Sequence, residues 1–487
     1  MLRLASNLVK KAPANVVSAR CLSSTTIVQA KAKSNAGAKP VKKKVTFDPK
    51  KFQQPQTKVK KSGMTHLEFH DAVRSMNFDK LAVDLNSFEI DNLTVEALSE
   101  PAKVVKYDEK TSEKLNYLGS FKKFQHHELF QRPVSLVSHN TVNLNEQFIS
   151  KLDGPSKDNR VCLVGERGSG KSTLVTQAKA LALNKYNQDV ILLHIDLAES
   201  LTNGTSSYIY NARTKKLQQP MFTKRWIYKV LQANQDIFKK LTLTQDVSFQ
   251  NKRVDHHLKK GENTLYDFLS LNIDFGKQQP TTAFSFFVNE LLHHSQNVPV
   301  IFSVDNINTI VDFPVTKYRH TDFTPVHLSE LEIGDFILKV AGGETNFAKG
   351  GVLLSKTGVL GHHQKTLSIA LGLEEHNPYL NKKFFDLNVA NTLLANGGIK
   401  PLIVENLNKD ETRELMEFWR ESGVLYVKDY YTKESTKTIE GSSEDKPVKQ
   451  KEEHFDPELQ FNRMVNNLYT VSTGNPHYLL KASSISF

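Results

Sequence analysis

Short, almost uninterrupted apolar runs recur between residues 136 and 407. They are RVCLV at 160–164, DVILLHIDL at 189–197, VPVIFSVD at 298–305, GGVLLSKTG at 350–358 and GIKPLIVENL at 398–407. Runs this short and rich in Val, Ile and Leu predict strands that are apolar on both faces, as in a parallel sheet covered by helices on each side. Helical patterns separate them. One spans Lys171–Leu183, directly after the first strand. TTAFSFFVNELLHHSQN, 281–297, predicts a helix capped by Thr281 or Thr282. NKDETRELMEFWRESGVL, from Asn408, predicts a helix with Leu415, Phe418 and Trp419 on one face. A last helical segment closes the chain. The alternation predicts an α/β fold. No internal repeat is present.

The remaining segments are polar. Residues 63–135 mix short amphipathic pieces with polar links and are expected to wrap a body or a neighbour. Residues 432–455, TKESTKTIEGSSEDKPVKQKEEHF, form a charged low-complexity insertion. The expected organisation is a leader at 1–22, a basic arm at 23–62, an N-terminal extension at 63–135, a core at 136–407 and a helical lid at 408–487.

Charge changes the picture at one end only. The 487 residues carry a formal net charge of +12. Residues 1–61 hold fifteen Lys or Arg and one acid, Asp48, so the rest has 64 − 15 = 49 bases against 52 − 1 = 51 acids. The first 47 residues contain no Asp or Glu, and Arg3, Lys10, Lys11 and Arg20 stand among Leu, Val, Ala and Ser. That is the composition of a mitochondrial transit peptide, with processing expected just after Arg20–Cys21 and delivery to the matrix. The Lys-rich stretch from about residue 30 to 61 has little to bury and is suited to RNA phosphates, with strongly salt-dependent binding. No apolar run approaches the roughly 18 residues of a membrane helix. The two cysteines, Cys21 and Cys162, make no disulfide framework, which fits a reducing compartment.

The candidate chemistry lies after the first strand. Gly165-Glu166-Arg167-Gly168-Ser169-Gly170-Lys171-Ser172 matches G-x-x-x-x-G-K-[ST], and Thr173 continues into the helix. Glycines let backbone N–H groups point inward, and the following helix adds its N-terminal partial positive charge. In this pattern Lys171 meets the outer phosphates and Ser172 offers its hydroxyl to Mg²⁺. Mg²⁺ also needs an acid, and Asp305 ends the run VIFSVD where that role requires it. The alternative is an Asp that ends a strand and caps a turn.

Working ATPases of the additional-strand class place a Glu after this acid to polarise the attacking water. Here the next residue is Asn306, which cannot accept a proton at neutral pH. Losing a general base costs about 10²–10⁴-fold, so hydrolysis is expected to be slow or absent unless a partner supplies the base.

Near the chain end, Gly474-Asn475-Pro476 opens a helix. In signal-transducing ATPases with numerous domains, a G-x-P element in the lid touches the nucleotide, which makes Pro476 a candidate contact. Asn408-Lys409-Asp410-Glu411 lacks the fourth-place Asp of the guanine-reading N-K-x-D and reads as a helix start. Adenine and guanine therefore both remain open. Histidine pairs at 126–127, 256–257, 293–294 and 362–363 face about 100° apart on a helix and make no ligand pair. Neither H-E-x-x-H nor C-x-x-C occurs, so no metal beyond Mg²⁺ is expected.

Taken together, GERGSGKS, HIDLAESLTNGTSSY with QQP after it, VDNINTIV, YRHTDFTPVHLSELEI, GGVLLSKTG, VENLNKDETRELMEFWRESGVL and GNPHYLL resemble the death-associated protein 3 family. That family is the P-loop protein of the mitochondrial ribosome's small subunit. The resemblance runs from about residue 115 to the end, and the length and style resemble a fungal member. The Lys-rich arm and the insertion at 432–455 resemble lineage-specific additions.

The resemblance implies a P-loop NTPase core of the additional-strand, AAA+-like kind with a C-terminal helical lid. It also implies a purine nucleotide (GTP, GDP or ATP) with Mg²⁺, a seat in the small-subunit head, and contact with ribosomal RNA and proteins. The leading expectation is a ribosomal constituent that holds a nucleotide structurally or as a slow switch. The alternative is an active mitochondrial ATPase of AAA+ or signal-transducing type that remodels a partner. A small-molecule kinase is disfavoured, because the lid-like helices offer no recognisable acceptor site.

Overall fold

The computed structural model describes residues 90–483, apart from 100, 123–124, 126, 128–129, 131, 252–253, 272–279, 359–363, 380, 382–383, 423 and 426–456. The expected transit peptide, the basic arm, Cys21 and the insertion at 432–455 lie outside the described residues.

Five parallel strands form the central sheet: β1 (Arg160–Val164), β2 (Ile191–Ile195), β3 (Val300–Val304), β4 (Gly350–Ser355) and β5 (Lys400–Ile403). Their order is β5-β1-β4-β3-β2. Val352 lies opposite Arg160, Gly350 opposite Val300, Ile191 opposite Val300 and Lys400 opposite Val161. Each strand is a subset of the apolar run that predicted it. β4 is inserted between β1 and β3, so the strand that feeds the glycine loop and the strand that ends at Asp305 are not neighbours. This is the additional-strand arrangement.

Both faces of the sheet are apolar, which is why the strands read as continuous runs. Ile191, Leu193, Ile195, Phe302, Val304, Val352 and Leu354 pack on one side with Trp226, Phe284, Phe287 and Phe336. These four come from α4 (Pro220–Ala233), α5 (Ala283–His294) and α6 (Glu332–Ala341). Thr282 occupies the N-cap position of α5, and the Thr281 hydroxyl accepts from the Ala283 N–H at 3.1 Å.

Val161, Leu163, Leu192, Ile301 and Leu353 point to the other side. They meet α3 (Lys171–Lys185), together with Leu115 of α1 (Glu109–Tyr117) and Leu144 of α2 (His139–Gln147). Residues ahead of the first sheet strand thus belong to this core. Lys103–Lys106 pairs antiparallel with Val134–Val137 at its margin. β5 is an edge strand and tolerates Pro401, whose missing N–H costs no ladder bond there.

A third cluster joins α7 (Lys409–Glu421), α8 (Pro457–Ser472) and α9 (Pro476–Ser483) through Met416, Phe418, Trp419, Phe461, Val465 and Leu479. Asn408 stands at the N-cap of α7, and the Glu411 carboxylate accepts from its N–H at 2.8 Å. The segment is therefore a helix start, as its sequence predicts.

Arg160 opens β1 with only 2% of its surface exposed. Its guanidinium donates to the carbonyls of Lys157 (2.7 Å), Ala341 (2.9 Å), Ala395 (3.1 Å) and Asn396 (2.6 Å). It ties the start of the sheet to the end of α6 and to the turn before β5. Arg160→Met keeps the volume but strands several carbonyls, so it is expected to cost about 2–3 kcal/mol. A urea titration of both proteins checks this, and a change below about 0.5 kcal/mol, the ordinary surface value, would contradict it.

Candidate nucleotide site

The segment between β1 and α3 turns back on itself and brings Gly165–Ser172 over the C-terminal edge of the sheet. Two glycines are required by what surrounds them. A Cβ on Gly165 would lie 2.6 Å from the Val404 carbonyl oxygen. Gly168 has φ +86°, and a Cβ there would lie 2.6 Å from His477 Cβ and 2.7 Å from Asn475 Oδ1. Gly170 takes the N-cap position of α3, so the loop's N–H groups and the helix N-terminus converge.

Lys171 is 8% exposed, and burial holds its ammonium below the ordinary lysine range. Its Nζ donates to the Gly165 carbonyl at 3.0 Å, to the Glu166 carbonyl, and to Ser169 Oγ at 3.3 Å. Ser172 Oγ lies 3.2 Å from Asp305 Oδ1, so the predicted metal pair is together in space. Thr173 Oγ1 accepts from Gln125 Nε2 at 3.0 Å. Arg167 and Glu166 are exposed on the loop's outer bend, while Ser169 is buried beneath it.

The far end of the chain closes on this loop. Asn475 Nδ2 donates to the Arg167 carbonyl at 2.9 Å, and the His477 N–H donates to the Gly168 carbonyl at 3.3 Å. Pro476, between them, lines a cavity beside the loop. In the described residues it is therefore Asn475 and His477 that brace the loop by hydrogen bonds.

Beside the loop lies a cavity of about 470 Å³, within the roughly 300–1,000 Å³ range of small-molecule sites. Its two ends differ. The polar end holds Lys171, Ser172, Asp305, Asn306 and Ser355, and the apolar end holds Phe130, Leu415, Phe418, Trp419 and Leu480. The rings of Phe130 and Phe418 are 5.3 Å apart.

Asn306, which follows Asp305, has φ +65°. Asn adopts this left-handed region more readily than most side chains. Its N–H donates to Ser355 Oγ at 3.2 Å and its carbonyl accepts from Thr309 Oγ1 at 2.8 Å. The residue is thus suited to its backbone as well as being unable to act as a base.

Several residues at the polar end escaped the sequence reading. Asp305 is 2% exposed and accepts from Ser355 Oγ at 2.5 Å as well as from Ser172. Lys122 Nζ lies 3.2 Å from Asp305 Oδ2. Below them Lys179 is fully buried, donates to Ser120 Oγ at 2.5 Å, and has its pKa lowered to about 7, chiefly by burial. One signal was available for Lys179: it is a charge among small apolar residues in TQAKALAL. Nothing local marks Lys122 or Ser355.

Among the described residues no group of three or more His, Cys, Asp or Glu could hold a metal, and no helix is long and apolar enough to cross a membrane.

A family model described as mitochondrial ribosomal death-associated protein 3 matches residues 135–482. The small ribosomal subunit protein mS29 of Schizosaccharomyces pombe is 28% identical over 331 residues, covering 67% of this chain and 66% of that protein. The protein of the same name from Neurospora crassa is 24% identical over 343 residues, covering 64% and 66%. The chain thus spans about two thirds of the length of these relatives. A solved structure, Cdc6p from Pyrobaculum aerophilum, overlaps 62% of this chain and 52% of its own, with a TM-score of 0.26 and 10% identity, too slight a likeness to carry an argument.

Proposed function

Because the chain belongs to the mitochondrial ribosomal death-associated protein 3 family, we propose that it is a constituent of the small subunit of the mitochondrial ribosome. On this reading it sits in the subunit head, in the matrix, against ribosomal RNA and ribosomal proteins, and supports mitochondrial translation. It holds a purine nucleotide, GTP, GDP or ATP, and turns it over slowly or not at all. The family match carries the ribosomal part, because it extends over most of the chain. The loop geometry supports the nucleotide part.

The residues fit such a ligand. Backbone N–H groups of Gly165–Thr173 and the start of α3 offer donors to phosphate oxygens, with Lys171 supplying charge. Ser172 and Asp305 would hold Mg²⁺, which neutralises charge between the outer phosphates when bound. The apolar end, with Phe418 and Trp419, suits the faces of a purine. Asn306 orients by hydrogen bonding but cannot take a proton from water, and neither can the hydroxyls of Ser355 and Thr357 beside it.

Three measurements test this reading. A sucrose gradient of mitochondrial lysate should place the protein with small subunits. Denaturing the purified protein should release close to one nucleotide per chain. Phosphate release over hours should stay far below 1 s⁻¹, the low end of ordinary enzyme turnover. Turnover near 1 s⁻¹ from the protein alone would instead favour a remodelling ATPase. Asn306→Glu is not expected to create activity, since Glu is less at ease at φ +65° and brings no water-positioning partner.

A further inference from the structure

We propose that Lys122 is a built-in counter-cation at the phosphate end of the cavity, so that the site holds a nucleoside triphosphate with little dependence on Mg²⁺. The inference rests on the nucleotide reading above and concerns how that site is neutralised.

Asp305 is the buried carboxylate that in P-loop sites ordinarily helps to hold the metal. Both of its oxygens have protein donors. Oδ1 takes the hydroxyls of Ser172 and Ser355, at 3.2 and 2.5 Å. Oδ2 faces Lys122 Nζ at 3.2 Å. Lys122 also donates to the Asp196 backbone carbonyl at 2.5 Å. The Asp196 carboxylate is taken by Lys229 at 2.7 Å, so Lys122 is not simply the partner of that acid.

An ammonium has three N–H donors, and these contacts use two. The side chain of Lys122 is 22% exposed and lines the cavity, so one N–H is left for a ligand held beside the glycine loop. The surroundings reinforce this. Lys122 and Lys171 both act on Asp305, two cations to one buried acid. The imbalance is complementary to a polyphosphate tail. In P-loop sites a divalent ion, held in part by such an acid, neutralises charge on the outer phosphates. Here a fixed cation already stands against that acid.

The lysine is delivered from outside the glycine-loop unit. It follows α1, whose Leu115 is fully buried in the core together with Leu118 just after the helix. Its placement is therefore set by packing rather than by a chance surface approach.

The test measures binding of GTP and of ATP to the nucleotide-stripped full chain, with Mg²⁺ and with EDTA. The native protein is expected to change affinity by no more than about threefold between the two buffers. Lys122→Met is expected to lose about 30-fold in EDTA, the worth of one charge-assisted hydrogen bond, and to recover most of it with Mg²⁺. Lys122→Arg, which keeps the charge, should bind in EDTA like the native protein.

A native loss beyond threefold in EDTA overturns the inference and leaves the nucleotide reading standing. Lys122→Met binding as well as native in EDTA, or Lys122→Arg failing as the Met variant does, also overturns it. Native protein that takes neither nucleotide in either buffer overturns both. Should Lys122→Met not fold, the native and Arg measurements still decide.

Discussion

Lys171→Ala should lower affinity for GTP or ATP by about 100-fold or more. A charge-assisted hydrogen bond contributes about 1.5–3 kcal/mol, and a lysine bridging two phosphates makes at least two of them, so a loss of 3–4 kcal/mol is the scale. The effect carries over to folding, because a ligand that binds only the folded state stabilises it by RT ln(1 + [L]/Kd). At a hundredfold excess over Kd this is about 2.7 kcal/mol, and after a hundredfold loss of affinity it falls to about 0.4 kcal/mol. The variant should melt lower than the native protein in excess nucleotide and should assemble poorly into small subunits. Without nucleotide the difference should shrink or reverse, since a buried and partly desolvated cation has been removed. Melting curves with and without nucleotide, and nucleotide content after acid denaturation, read this directly. Equal nucleotide content in the two proteins would exclude a phosphate-binding role for Lys171.

Lys179→Met should stabilise the protein at neutral pH and remove a pH dependence. Lys179 is fully buried on α3, with the Ser120 hydroxyl as its hydrogen-bond acceptor. Asp305 and Asp196 face it with favourable charge and Lys122 with unfavourable charge, and His194 packs near the same group. Burial dominates and lowers its pKa from 10.5 to about 7. The folded state therefore loses this proton near pH 7, while the unfolded chain keeps it to about pH 10.5. Between those values the unfolded state binds more protons, so native stability rises with pH by up to about 1.4 kcal/mol per unit. Below pH 7 the full cost, roughly 5 kcal/mol, is present. The Met variant lacks this cost, so its advantage should be greatest at pH 7 and below and should narrow toward pH 10. Chemical denaturation at pH 7, 8 and 9 measures the gap, and a gap that does not narrow would refute the assignment.

The sheet was legible because each strand is apolar on both faces and too short for a helix. Leu192 and Ile191, for instance, serve opposite cores. The antiparallel pairs outside the sheet were not. In Val315–Arg319, Val315, Lys317 and Arg319 face out while Thr316 and Tyr318 face in. A five-residue alternation with two cations resembles a loop. Its pairing with Pro325–His327 depends on the turn between them.

The candidate site divides in the same way. Gly165–Thr173 is contiguous, so its spacing alone marks it as the proposed phosphate loop, and Asp305 is marked by the strand that it ends. Lys122, Ser355 and the Asn475 amide reach the site from distant segments, and only tertiary packing brings them there. Asn306 was read for what its side chain cannot do. Its positive φ, invisible in sequence, gives a second reason for Asn at that position.

The brace on the glycine loop also sets an order of events. Asn475 follows Arg167 by 308 residues. At a synthesis rate of about 5–20 residues per second, the loop waits roughly 15–60 s for the amide that holds its carbonyl. The same order applies to a chain threaded N-terminus first through a narrow channel. Until α9 arrives, the Arg167 and Gly168 carbonyls lack these donors and the apolar end lacks Leu480. On the proposed nucleotide reading, firm retention of the ligand is expected to report that the chain has emerged as far as its last helix, and a nascent chain arrested before Asn475 should be distinguishable from a finished one by that property alone.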